Sequence, residues 1–224
     1  MPNQSGSPLA SSTALRPAAT SRANASIAAE RLPLFGIADG AYHQHADHPG
    51  LMTKREVRIQ LLAELDLPRA GVLWDLGAGT GSVGLEALRL QPGLQLYAVE
   101  RRSGALPLIH ANAERLAVQP AAVLQGDARS LLAELPDPDR VLLGGGGAAR
   151  AELLAALLPR LRAGGVVVIP LATLEAVAEL RPVLEAHGLQ VSLMQLQVSR
   201  GMPLAGGTRL APLNPVLVLR GCRA

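Results

Sequence analysis

Apolar and polar positions change period again and again along this chain. From Leu32 onward, short continuous apolar runs alternate with stretches whose apolar residues recur three or four apart. The runs at 72–76, 94–99, 123–125, 141–143 and 166–169 read as strands buried on both faces. The stretches 54–65, 82–90, 103–117, 149–161 and 174–187 carry the helical period. Thr53-Lys54-Arg55-Glu56 has the form of a capping box, in which the Thr hydroxyl takes the amide three residues on and the Glu reaches back. Gly164-Gly165 marks a turn, and Gly188 stops the last helix. Strands at 191–198 and 216–219 close the chain. A long loop rich in Gly and Pro joins them, and they are placed to pair as an antiparallel hairpin at one end of the sheet. Strand and helix in alternation predict an α/β fold: a doubly wound, mostly parallel sheet with helices on both faces.

Residues 1–31 break this pattern. They are rich in Ser, Ala and Pro, carry no apolar period, and have Glu30 as their first acidic residue. Disorder is expected there, with the folded domain running over 32–224. A flexible tail or linker remnant is the simpler reading; the acid-poor, Arg-bearing composition also resembles a transit peptide. No apolar core of a signal peptide is present.

Composition narrows the function. Hydrophobic residues make up 49% but aromatics only 2%, so the core is built from Leu, Val, Ile and Ala. No apolar run approaches the roughly 18 residues that span a bilayer, so no membrane is expected and a cytoplasmic location is. The lone Cys222 permits neither an internal disulfide nor a cysteine metal site. Net charge is +3 with a pI near 9.7, without a Lys/Arg run, and aromatics are too scarce for a base-stacking platform. No nucleic-acid partner is expected. A mild excess of arginine suits a small polyanionic substrate.

The stretch VLWDLGAGTGSVG, residues 72–84, is an apolar strand entering a glycine turn and a helix. Gly79, Gly81 and Gly84 satisfy G-x-G-x-x-G, which both dinucleotides and S-adenosylmethionine use. Ligands of open α/β sheets sit beyond the C-terminal strand ends, so this turn should form the site. Asp75 decides between the two. A carboxylate beside the turn repels a pyrophosphate and attracts an ammonium and a sulfonium, which favours the methyl donor. The competing role for Asp75 is to cap the turn through backbone amides. Glu100 ends the next strand, where the ribose hydroxyls of either ligand need an acceptor. Gly126-Asp127-Ala128 follows the third strand, where an adenine can be bracketed, although Gly-Asp is also ordinary turn chemistry.

VLWDLGAGTG, YAVER and GDA together resemble class I S-adenosylmethionine-dependent methyltransferases. That class implies a seven-stranded sheet with an antiparallel C-terminal strand. LFGIADGAY, MTKREVR, VLLGGGG and VSRGMPLAGGTRLAPLNPV resemble, more narrowly, the precorrin-6Y methyltransferases of cobalamin biosynthesis. Those methylate carbon 15 of the macrocycle and decarboxylate the acetate on carbon 12. The resemblance runs from about residue 32 to the C-terminus. It implies that Thr53, with Gly77, Ala78, Gly79, Thr80 and Gly81, holds the methionine end of S-adenosylmethionine. It also implies that Glu100 takes the ribose and that Asp127 and Ala128 flank the adenine. The glycine run from Gly144 and Gly145 to Gly147 would lie near the transferred methyl. Ser199-Arg200-Gly201 and Asn214-Pro215 would cover the substrate side. Family members are often tetrameric, and some carry a fused carbon-5 methyltransferase, so a homo-oligomer and a separate carbon-5 enzyme are expected partners.

Arginines pair with carboxylates through two parallel hydrogen bonds, so Arg200 and Arg209, flanking the Gly-rich loop, are the candidate ligands for the carboxylates of a tetrapyrrole. Surface solvation is the alternative for both. No single residue stands out as driving decarboxylation. His43, His45 and His48 in the run GIADGAYHQHADHPG depart from the family pattern, but no paired ligand completes a metal site around them, and none is expected. His110 and His187 read as ordinary helix side chains. Rival readings are a class I methyltransferase acting on RNA or another small molecule, a nicotinamide oxidoreductase, and a non-catalytic tetrapyrrole carrier.

Overall fold

The computed structural model describes residues 31–44 and 52–224. The expected disorder of the N-terminal extension therefore lies outside the described residues, apart from Arg31, as do His45 and His48. Five strands follow the order in which the apolar runs predict them: Ala70–Leu76 (β1), Gly93–Glu100 (β2), Ala122–Gln125 (β3), Arg140–Leu143 (β4) and Val166–Leu171 (β5). They pair in parallel. The helices are Arg55–Glu64 (α1), Ser82–Leu90 (α2), Ala105–Arg115 (α3), the single turn Ala128–Leu131 (α4), Arg150–Leu157 (α5) and Leu174–Ala186 (α6).

Gln190–Leu196 (β6) and Val216–Cys222 (β9) complete a seven-stranded sheet of order β3-β2-β1-β4-β5-β9-β6. β9 lies between β5 and β6 and runs antiparallel to both. The antiparallel closing pair is thus as expected. The connection between them is not a plain loop. Ser199–Leu204 (β7) and Gly207–Pro212 (β8) form a separate two-stranded hairpin, from Ser199↔Pro212 to Leu204↔Gly207.

β1 shows how pleating divides the core. Val72, Trp74 and Leu76 face the layer of Leu153, Leu157, Leu180 and Leu184 from α5 and α6. Leu73 faces the opposite layer, with Leu61, Val83, Leu85 and Ile109 from α1, α2 and α3. Asp75, at the same parity as Leu73, points to that second side, which decides what can surround its carboxylate.

The expected capping box at the start of α1 does not form. Lys54 is the N-cap and contributes no side-chain bond. Asp39 Oδ1 instead accepts from the Arg55 amide at 2.8 Å, and the Glu56 carboxylate takes Arg200. A cap from sixteen residues upstream displaces the local one because Asp39 is already held there by other cations. The segment 31–44 is strapped to the core through a fully buried pair, Arg58 Nε to Glu86 Oε2 at 2.7 Å. Glu86 also accepts from Tyr42 Oη at 2.8 Å and from the Gly36 amide. The Arg58 guanidinium lies 4.8 Å from the centre of the Tyr42 ring. Burial and the Glu86 charge push the Tyr42 hydroxyl well above its ordinary pKa, although Arg58 pulls the other way.

Candidate active site

The turns after β1 and β4 cross at the C-terminal edge of the sheet, at the switch point between β1 and β4. Gly77, Gly79 and Gly81 have φ of 85°, 58° and 75°, which favour glycine. At Gly77 the requirement is also spatial: a Cβ there would sit 2.4 Å from the Gly145 amide nitrogen. The two chains are laced together, since the Gly144 and Gly145 amides both donate to the Leu76 carbonyl at 2.9 Å. Gly84, the last glycine of the motif, serves packing. A Cβ there would meet Leu96 at 2.8 Å and the Asp75 carboxylate at 2.9 Å.

Asp75 is 2% exposed, and its Oδ2 accepts from the Gly84 amide at 3.2 Å. Burial raises its pKa to about 7; the Gly84 hydrogen bond lowers it and the charge of Glu100 raises it further. Glu100 closes the other side of the turn. One oxygen accepts from the Gly79 amide at 2.9 Å, and the other accepts from the backbone amides of Arg101 and Arg102 at 3.0 and 3.1 Å. Asp127 caps α4, accepting from the Arg129 and Ser130 amides at 3.0 and 3.3 Å.

Three adjoining hollows surround these turns. The first, about 310 Å³, is lined by Gly77, Gly79, Glu100, Asp127, Ala128 and Gly144 to Gly147. The second, about 110 Å³, is lined by Thr53, Asp75, Ala78, Thr80, Gly144 and Pro170 and shares Gly77, Gly79 and Gly144 with the first. The third, about 540 Å³, is mainly apolar and shares Thr53 and Pro170 with the second. Thr80 is 2% exposed, and its hydroxyl has no hydrogen-bond partner among the described residues. Its carbonyl is taken by Asn112 at 2.9 Å, and Asn112 also grips the His43 backbone in both directions. The strap therefore buttresses the glycine turn.

The expected donor residues from Thr53 to Ala128 thus converge on the first two hollows, with Gly81 setting the start of α2 behind them. Asn214 lies on the third hollow. Arg200 and Arg209 line none of the three. Arg200 is clamped by Glu56, at 2.5 and 3.0 Å, and by Asp39, at 3.0 Å. Those carboxylates raise its pKa, and it holds the Glu56 carboxyl below the ordinary range. Arg209 stands exposed on β8. Arg58, Glu86, Asp39 and Lys54 are not among the site residues that the motifs single out. For two of them the sequence carries a signal, a charge on an otherwise apolar helix face: Arg58 among Val57, Leu61 and Leu62, and Glu86 between Leu85 and Ala87. His110 and His187 are exposed on or beside helices, as expected, and among the described residues no cluster of three or more His, Cys, Asp or Glu is placed to hold a metal.

A doubly wound sheet of this strand order, with a glycine turn after β1, an acid ending β2 and a second glycine run after β4, defines a class I methyltransferase. Within that class, the chain belongs to the precorrin methyltransferase family, whose domain model matches residues 44–223. It is 39% identical over 186 residues to a probable cobalt-precorrin-6B C(15)-methyltransferase (decarboxylating) of Pyrobaculum calidifontis, covering 82% of this chain and 94% of that one. It is 35% identical over 186 residues to a precorrin-6Y C(5,15)-methyltransferase [decarboxylating] of Sinorhizobium, of which it spans 43% of the length. Among solved structures, a precorrin-6Y C5,15-methyltransferase from Geobacter metallireducens superposes with a TM-score of 0.80 at 32% identity, over 86% of this chain and all of that one. The family is the one that the motif series resembles.

Proposed function

We propose that the protein binds S-adenosylmethionine across the first two hollows and a precorrin-6Y-type tetrapyrrole in the third. It methylates carbon 15 of that macrocycle and releases the carbon-12 acetate carboxyl as carbon dioxide. The observation that carries this reading is the continuity of the three hollows: Gly77, Gly79 and Gly144 of the crossed turns join the first two, and Thr53 and Pro170 join the second to the third, so the donor side opens onto the acceptor side.

The residues present fit the donor. Glu100 offers carboxylate lone pairs where two hydroxyls need an acceptor. Asp75 offers the countercharge for an ammonium or sulfonium. The unpartnered Thr80 hydroxyl beside it is a polar group awaiting a ligand. The close approach at Gly77 leaves room for backbone, not side chain. When bound, S-adenosylmethionine supplies a methyl group already activated for displacement by an enamine-like carbon. The chain's own part is to orient and to exclude water. Thr53 and Pro170 stand between the hollows and fix the line of approach. Decarboxylation breaks the bond between the acetate methylene and its carboxyl. The electron pair enters the conjugated ring, carbon dioxide leaves, and a proton from solvent replaces it.

The test is direct. The purified protein is incubated with S-adenosylmethionine and precorrin-6Y, and the product mass is measured. A methyl gained and carbon dioxide lost is the expected result; unaltered tetrapyrrole with bound donor would refute the substrate assignment.

A further inference from the structure

The chain contains a single lysine, Lys54, among 21 Lys and Arg residues. That lysine lines the third hollow, with Thr53, Val57, Pro170, Leu213 and Asn214. The surrounding arginines are all occupied. Arg55 Nε is bound to the Gly36 carbonyl at 2.5 Å. Arg58 is consumed by Glu86, Asp39 and the Thr53 and Ile37 carbonyls. Arg200 is neutralised by Glu56 and Asp39. Lys54 differs: only its backbone carbonyl is engaged, by the Arg58 amide at 2.8 Å, and among the described residues no partner for its ammonium is present. A half-buried cation with no countercharge among the described residues, on the wall of a mainly apolar cleft of about 540 Å³, is a site for an anionic group that enters with a ligand.

We infer that the Lys54 ammonium anchors a peripheral carboxylate of the tetrapyrrole in this cleft. The assignment rests on the substrate reading above and moves the carboxylate ligand from Arg200, whose charge is already spent, to Lys54. The anchored group is not the acetate that leaves. A cation held against a carboxylate stabilises the anion over carbon dioxide and slows its loss, so the anchor belongs on a carboxylate that persists into product. An ammonium on a flexible stem meets a carboxylate as a point charge, without the fixed planar geometry that a guanidinium imposes. One such contact sets which edge of the macrocycle enters, and so which ring carbon faces the donor.

The experiment compares wild type with Lys54→Met and Lys54→Arg, using precorrin-6Y turnover and, separately, titration with S-adenosylmethionine. Lys54→Met raises the tetrapyrrole KM roughly ten- to hundredfold, the range for a charged hydrogen bond. It leaves the donor Kd within about twofold, and Lys54→Arg recovers part of the loss. A tetrapyrrole with its peripheral carboxylates methyl-esterified loses affinity for wild type but not for Lys54→Met. An unchanged tetrapyrrole KM in Lys54→Met, or an equal loss of donor binding, overturns the anchor while leaving the substrate reading intact. A wild type that neither binds nor methylates the tetrapyrrole overturns both.

Discussion

Asp75 is the residue on which the choice of ligand turns, and its burial makes that choice dependent on pH. The folded chain prefers the neutral carboxyl, with a pKa of about 7 against an ordinary value of 3.8. Between these values the folded state holds more protons than the unfolded one, so stability contributed by this group falls as pH rises, with a limiting slope of about 1.4 kcal/mol per pH unit. A cationic donor reverses the preference, because it stabilises the carboxylate and lowers the pKa in the complex. Donor affinity should therefore rise with pH up to about 7 and then level off. Asp75→Asn keeps an acceptor for the Gly84 amide but cannot ionise. It should flatten both profiles while weakening the donor at pH 8. Urea titrations and calorimetry across pH 5.5 to 8 read this out, and the donor's own amine titrates alike in both proteins. An Asp75→Asn variant that binds donor as tightly as wild type at pH 8 would return the carboxylate to its other role, a cap on the Gly84 amide. The motif showed that a carboxylate stood by the turn. It did not show that the pleat of β1 turns it into the core, because parity depends on where the strand starts and which layer α2 occupies.

At the scale of elements, the strap 31–44 and the hairpin β7–β8 meet at Asp39, which binds Arg58 and Arg200. Arg58→Met removes the only guanidinium paired with the fully buried Glu86 carboxylate among the described residues. Breaking one side of such a pair costs about 3–5 kcal/mol. Denaturant unfolding should show that loss. Release of Asn112 from the strap should also loosen the glycine turn, seen as faster amide exchange at Gly79 and Thr80. Arg200→Ala acts elsewhere. Its partners are partly exposed, so global stability should fall by no more than about 1 kcal/mol per pair. The hairpin loses its tie to α1, and limited proteolysis within 199–212 should accelerate severalfold; an unchanged cleavage rate would show that the ion pairs do not restrain it. These elements differ in how far sequence foretells them. α6 lies at 174–186 much as its period predicts, because burial on one side, at Val177, Leu180 and Leu184, writes a spacing into the chain. β7 and β8 were hidden because nearly every position in both is exposed, so no alternation marks them. The cap on α1 departs from the sequence pattern because Thr53 and Glu56 satisfy a local rule, while Asp39 supplies a better-placed acceptor from a distant segment.

For the whole molecule, the hairpin is the feature that a lone chain explains least. Two-stranded ribbons are marginal in water without a partner, yet this one carries Met202, Leu204 and Leu210 at 46%, 57% and 73% exposure. Met202 pairs with Arg209 and Leu204 with Gly207, so these two side chains share a face; Leu210, opposite Gly201, lies on the other. An arm apolar on both faces stays wet on one side if it meets a single flat surface. Insertion between copies covers both, which is the arrangement that a homo-oligomer, the tetramer implied by the family resemblance, would provide. The prediction is that Met202→Asp with Leu210→Asp lowers the mass measured by light scattering to that of one chain. Circular dichroism and the donor Kd should stay unchanged, since none of these residues lines the donor hollows. The tetrapyrrole KM should rise with dissociation, because Pro212, which ends β8, and Leu213 and Asn214 after it form one wall of the third hollow, the proposed substrate cleft, and depend on the arm being held. If the double variant keeps the mass of the wild type, or the wild type is itself a single chain, the apolar arm has another purpose. The substrate cleft would then have to be complete within one copy.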